Sequence, residues 1–184
     1  MEKPHGIIVF GASGSGCTTL GRELARILNF ELFDTDDLFF EPTDPPYTKA
    51  RPLHERQRLL SSAIKVPFII SGCLREWGGF FDDVLSLAVF IKTPTNVRLE
   101  RLDKREYAKN GERIRKGGDL YERHKWFMEY VSTYDNGGME TRSLASQKAW
   151  ANSLSCPVLQ VDGTTDWRVN AENVKEQFLK RSLK

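Results

Sequence analysis

Residues 11–21 read GASGSGCTTLG, with Gly11 and Gly16 separated by four residues and Thr18 and Thr19 close behind. An apolar, β-prone run, GIIVF, precedes them, and a stretch with helical apolar spacing follows. This strand, loop and helix context is the one in which a backbone wraps phosphate oxygens. Glycines permit the positive φ angles such a loop needs. The N–H groups of Ser13, Gly14, Ser15, Gly16, Cys17 and Thr18 then converge, with the positive end of the helix, on one anionic group. The Thr18 hydroxyl stands where it can reach Mg²⁺, and Thr19 continues the helix start. A ligand-free glycine turn is the plainer alternative. Cys17 reads as a small neutral filler; a nucleophilic or redox role lacks a histidine to act as its base.

The next residues with chemical capacity are acidic. FDTDDLFF places Asp34, Asp36 and Asp37 at the end of an apolar run. One carboxylate there can hold Mg²⁺, directly or through water, and another can accept the proton of a hydroxyl; capping of the following helix is the structural alternative, and for Asp37 capping or exposure is the better reading. Basic candidates are spread more widely: Lys49 and Arg51, Arg75 in SGCLR, Arg101 and Arg105 in RLDKR, and Arg113 and Arg115 in NGERIRKGG. Arginine's planar fork of donors suits phosphate oxygens, whereas solvated surface charge is the idle alternative.

The elements that must position these groups follow from periodicity. Four apolar β-rich runs, GIIVF, PFIISG, LAVFIKT and CPVLQVDG, and a weaker fifth, FELFDTD, alternate with helical patterns, which predicts βαβ units around a buried parallel sheet. The first helix is expected from near Thr18 to Asn29, with Leu20, Leu24, Ile27 and Leu28 on one face. The proline-rich segment 41–52 predicts an irregular connection, with a helix through about Ala63. Further helices are expected from Pro94, over roughly 120–134 and 139–154, and from about Asp166. Trp126, Phe127 and Tyr130 fall at helical spacing and read as core. At 184 residues, with no repeat or linker, residues 1–184 are expected to form one domain. The net charge of +2 gives no nucleic-acid or membrane footprint, and three widely spaced cysteines suggest neither a disulfide framework nor a zinc site. The N-terminus lacks the pattern of a signal peptide and no run is long enough for a membrane span, so a soluble, cytoplasmic protein is expected, monomeric or homodimeric.

In order along the chain, these motifs resemble those of the phosphate-loop kinases of the adenylate and shikimate kinase type. FDTDDLFF is similar to the acidic segment of shikimate, gluconate, uridine and nicotinamide riboside kinases. SGCLR is similar to the Asp-Gly-x-Pro-Arg of adenylate kinases at Gly72 and Arg75 only, with Ser71 in place of the aspartate. RLDKR is similar to the arginine pair at which adenylate kinases enter their lid, and VDGTTD resembles the loop behind the adenine. The chain departs from the family at Cys17, where phosphate-loop kinases carry a lysine that bridges the β- and γ-phosphates.

The resemblance implies a three-layer α/β/α fold with a five-stranded parallel sheet of order 2-3-1-4-5, a short lid at about 104–119 and an acceptor loop at about 41–63. It implies transfer of the γ-phosphoryl group of MgATP to a small molecule: a nucleotide, a nucleoside or a shikimate-like hydroxyl. Gly11 to Thr19 and Arg101 would bind the nucleotide. Thr18 and Asp34 would organise Mg²⁺, Asp36 would orient the acceptor, and Arg105, Arg113 and Arg115 would supply the missing positive charge. Asp34, Asp36, Gly72, Arg75 and Lys49 or Arg51 would contact the acceptor. An ATP-binding regulatory protein without transfer activity is the alternative.

Overall fold

The computed structural model describes residues 6–182 apart from Pro45, Gly78 and Phe80; His5, for which the sequence suggests no role, lies outside them. Five strands, β1 (Gly6–Gly11), β2 (Glu31–Asp34), β3 (Phe68–Ser71), β4 (Leu85–Lys92) and β5 (Val158–Asp162), form one sheet of order β2-β3-β1-β4-β5. Every pairing is parallel, as the alternation of apolar runs and helical patterns predicts.

The central strands are apolar at consecutive positions because both their faces are covered. Ile8, Phe10, Phe68, Ile70, Ala88 and Phe90 point into one core, against Leu60 of α3 (Leu53–Ala63) and Trp150 of α6 (Leu144–Ser153). Ile7, Val9, Ile69, Leu87, Val89 and Ile91 point into the other. There they meet Leu20 and Leu24 of α1 (Cys17–Leu28), and Ala171, Val174 and Phe178 of α7 (Trp167–Ser182). The result is the expected three layers. Because β1 is flanked by β3 on one side and β4 on the other, the loop after β1 opens at the point where strand order reverses, the crevice in which open α/β sheets place ligands.

The remaining helices are α2 (Thr35–Phe39), α4 (Thr95–Asn110) and α5 (Tyr121–Ser132). α4 runs further than expected, so residues 104–110 are helical and only a single 3-10 turn, Gly111–Ile114, and the residues to 119 form a loop. α6 begins at Leu144, five residues after the expected 139. The cause is a reciprocal cap: the Ser143 hydroxyl accepts from Ser146 N at 3.1 Å and the Ser146 hydroxyl accepts from Ser143 N at 3.0 Å. Residues 139–142 are thereby left as a turn. The aromatic residues of α5 are also not core: Trp126 is 63% exposed and stacks on exposed Tyr130 with ring centroids 5.5 Å apart.

Arg98 is fully buried although α4 is rich in basic residues. Its guanidinium donates to Thr93 O at 3.1 Å, Val131 O at 3.3 Å, Thr95 Oγ1 at 2.9 Å and Asp135 Oδ2 at 3.3 Å, tying α4 to the end of α5. No helix among the described residues is long and apolar enough to cross a membrane.

Candidate functional site

After β1 the chain curls before entering α1. Ser15 N donates to Ala12 O at 3.0 Å, and Leu20 N to Gly16 O at 3.0 Å. Gly14 and Gly16 have φ of +80° and +106°, conformations that L side chains rarely adopt. A Cβ built on Gly16 would meet nothing within 4 Å, so this glycine serves the backbone turn and leaves the inside of the loop open. The Thr93 hydroxyl donates to Ser15 O at 3.2 Å and fixes the loop to the end of β4. Converging N–H groups at the start of a twelve-residue helix make this concavity suited to an anion.

Register sets its rim. Asp34 pairs with Ser71 across β2 and β3, and Ser71 with Val9 across β3 and β1, so the acidic strand end lies two strands from the loop. Thr18 Oγ1 donates to Asp34 Oδ2 at 2.9 Å, and Ser71 Oγ donates to Thr18 Oγ1 at 3.2 Å. Asp34 Oδ1 meanwhile accepts Asp36 N at 3.0 Å and caps α2. Asp34 therefore caps α2, the structural alternative for the acidic cluster, while its other oxygen faces Thr18 at the start of α1. Gly72, at φ +116°, passes so close that a Cβ would lie 1.8 Å from Thr35 Oγ1, which keeps the strand end against α2.

A hydroxyl and a carboxylate are hard oxygen donors of the kind Mg²⁺ takes, and no cluster of three or more His, Cys, Asp or Glu occurs among the described residues. That sparse set fits an ion that keeps water and substrate phosphates as its other ligands, rather than one caged by protein.

Asp36 is exposed as a residue, yet the protein packed around its carboxyl withdraws enough water to push it above the usual range. The guanidinium charges of Arg142 and Arg105 act on it in the opposite sense. Arg105 itself shares its fork with Glu106 at 3.0 Å. Arg101 closes on the loop after β5, donating to Gly163 O at 2.9 Å.

The other basic candidates are engaged elsewhere. Arg113 pairs with Asp119 at 2.6 Å, and Arg115 grips Asp103 with two bonds of 2.9 and 3.0 Å. His124 also reaches Asp103, at 3.1 Å, a partner the sequence does not suggest. Arg75 turns onto neighbouring Glu76 at 2.7 Å. Lys49 pairs with Glu41 at 2.7 Å. Arg51 donates through Nη1 to the carbonyls of Asp37, Leu38 and Phe40, so in this structure it ties the proline-rich loop to the end of α2. That loop meets the opposite wall where Arg123 donates to Pro46 O and the Lys109 ammonium lies 5.4 Å from the centre of the Tyr47 ring.

One residue of the site has no counterpart among the sequence candidates. Arg142, in the turn before α6, donates through Nη2 to Gly11 O at 3.3 Å, and Gln147 Nε2 donates to the same oxygen at 3.2 Å. Its charge acts on Cys17, Cys73 and Asp36 together. The available signal was the Gly137-Gly138 pair and the Ser143–Ser146 cap that follows it; placing the helix start at 139 concealed a turn aimed at the loop. Cys17 Sγ lies 3.2 Å from Ser15 Oγ, and burial pushes its thiol up to about 11. It is therefore neutral at physiological pH, and not a repelling thiolate.

Sheet order and glycine cradle together define a P-loop α/β/α protein. The AAA domain family matches residues 7–123, and the chain belongs to that family. The uncharacterized protein YqaC of Bacillus subtilis (strain 168) is 39% identical over 158 residues, 85% of this chain and 87% of that protein. Among solved structures, deoxyadenosine kinase from M. mycoides with bound dATP aligns over 94% of this chain and 98% of its own at 15% identity, with a TM-score of 0.54. Shikimate kinase from Aquifex aeolicus aligns over 97% and 98% at 18% identity, with a TM-score of 0.53. At such identities these two structures establish the fold.

Proposed function

We propose that the protein is a phosphotransferase that moves the γ-phosphoryl group of MgATP to a hydroxyl of a small-molecule acceptor. The observation that carries this reading is the Thr18–Asp34 contact of 2.9 Å at the rim of the glycine loop, which joins a cation-holding pair to a phosphate cradle. Kinases as different as the deoxyadenosine and shikimate enzymes share the fold, which supports the reaction class without choosing the acceptor.

In this mechanism the loop N–H groups from Ser13 to Thr18 hold the phosphates and Thr18 with Asp34 would hold Mg²⁺, which when bound offsets charge on the phosphate oxygens. Asp36 accepts a hydrogen bond from the acceptor hydroxyl and directs its oxygen in line with the γ-phosphorus. A bond forms between that oxygen and phosphorus, and the bond from phosphorus to the β–γ bridging oxygen breaks. Its electron pair stays on ADP, while the hydroxyl proton passes to the Asp36 carboxylate and then to water. Burial, by raising the Asp36 carboxyl, makes it a better proton acceptor than an ordinary aspartate. Arg105 closes over the same edge.

A second reading, an ATP-binding regulatory protein, is favoured by the pairing of Arg105, Arg113 and Arg115 with their own carboxylates. A coupled ADP-release assay across nucleosides, nucleoside monophosphates, and sugar or cyclic polyol acids separates the two. Acceptor-dependent turnover supports the kinase; saturable ATP binding with no acceptor-dependent ADP supports the regulator.

A further inference from the structure

We propose that Arg142 supplies, from the turn before α6, the cationic contact to the transferring phosphoryl group that Cys17 cannot make from the loop. The inference rests on the phosphotransferase reading above.

The side chain at the first position of α1 is short and uncharged. Cys17 stops at Ser15 Oγ, 3.2 Å away, and neither it nor the threonines that follow can carry a positive charge, so the first turn of the helix brings no side-chain cation to the cradle. The space beyond it is approached from the opposite wall. Arg142 donates to the carbonyl of Gly11, the residue that opens the loop. The same guanidinium is close enough for its charge to act on Cys17 at the cradle, Cys73 after β3 and Asp36 at the acceptor edge. In the phosphotransferase reading the donor phosphate lies at the cradle beside Cys17 and the acceptor hydroxyl at Asp36, so this charge lies between the two.

Two features distinguish Arg142 from Arg75, Arg105, Arg113 and Arg115. Arg75, Arg105, Arg113 and Arg115 each share their charge with a carboxylate at 3.0 Å or less, whereas no carboxylate among the described residues lies within ion-pair distance of Arg142. Its Nε is wholly enclosed and finds no acceptor among the described residues. Enclosing an unneutralised guanidinium and an unsatisfied N–H is costly, and an anionic substrate in the cradle is the partner that would offset it. Arginine also suits the task, since its planar fork can bind one oxygen on each of two phosphate groups. The seat is rigid: Gln147, which shares the Gly11 carbonyl, is itself held by the Tyr134 hydroxyl at 2.5 Å, and the turn is closed by the Ser143–Ser146 cap.

The test uses Arg142→Gln, which keeps an N–H for Gly11 while removing the charge, with thermal melting to verify folding and Arg142→Lys as a charged second variant. Binding of a non-hydrolysable ATP analogue and of ADP, each with Mg²⁺, is measured by calorimetry alongside turnover. The expected result is a loss of about 10²–10³-fold in turnover, with the ATP analogue weakened at least about tenfold more than ADP, and partial recovery in Arg142→Lys. A second cycle is sharper. Cys17→Lys in the wild-type background should weaken analogue binding, because two cations compete for one place, yet in the Arg142→Gln background it should strengthen it. Equal effects on ATP analogue and ADP, wild-type behaviour of Arg142→Gln, or a gain from Cys17→Lys that is the same in both backgrounds would each overturn the inference while leaving the kinase reading standing. Wild-type protein that binds neither nucleotide would overturn both.

Discussion

Nucleotide affinity should stay level as the pH is raised from about 7 to about 10, because burial holds the Cys17 thiol protonated to about 11. An ordinary cysteine, with a value near 9.0, would become a thiolate within that window. A thiolate about 4 Å from a phosphate charge costs on the order of 4 kcal/mol in a partly screened site, or about a thousandfold in affinity. The same burial links pH to stability. Between 9.0 and about 11 the folded chain retains a proton that the unfolded chain has released, so the contribution is fully present below 9.0 and is lost as pH rises through about 11. At about 1.4 kcal/mol per pH unit that contribution is about 3 kcal/mol. The assay is a fluorescence titration with a non-hydrolysable ATP analogue at stepped pH, in a background with Cys73 and Cys156 replaced by alanine. A Cys17→Ser variant, neutral throughout, calibrates every other titrating group. A wild-type affinity that falls steeply near pH 9, while the serine variant stays level, would refute the reasoning.

Three other outcomes are expected. Asp34→Asn should reduce the Mg²⁺-dependent gain in ATP affinity by about 10–100-fold, read by titrating Mg²⁺ at fixed ATP, because Thr18 loses its anionic partner. Asp36→Asn should lower kcat by about 10²–10⁴-fold with ATP affinity unchanged; in the wild type, the acid limb of kcat/KM should lie above the 3.8 of an ordinary aspartate, since activity requires the carboxylate that burial disfavours. Arg98→Ala should destabilise by about 3–5 kcal/mol, measured by urea unfolding, because it strands the carbonyls of Thr93 and Val131 that the buried guanidinium satisfies.

The layers were legible in the sequence because sheets covered on both faces need consecutive apolar residues, and Ile7 to Phe10 and Leu87 to Ile91 supply them to both cores; the strand order was implied only by the resemblance to phosphate-loop kinases. The Thr18–Asp34 pair was equally legible, since loop spacing fixes one partner and the strand end fixes the other. The destinations of the arginines were not. Nothing local tells Arg113 and Arg115 to choose Asp119 and Asp103 over a ligand, or buries Arg98 among carbonyls, because those choices depend on how α4 and α5 pack. Arg142 escaped for a different reason. Its role depends on a turn of four residues, and the cap that creates that turn pairs two serines where a glutamate or glutamine commonly takes the second place.

Whether a glycine loop without a lysine still delivers a phosphoryl group is tested most directly by the fate of labelled γ-phosphate. With MgATP labelled at that position and an accepted hydroxyl compound, label should pass to the acceptor in step with ADP formation, and Asp34→Asn should suppress both. Label that remains in bound ATP, or appears only as inorganic phosphate whatever acceptor is offered, would contradict that delivery.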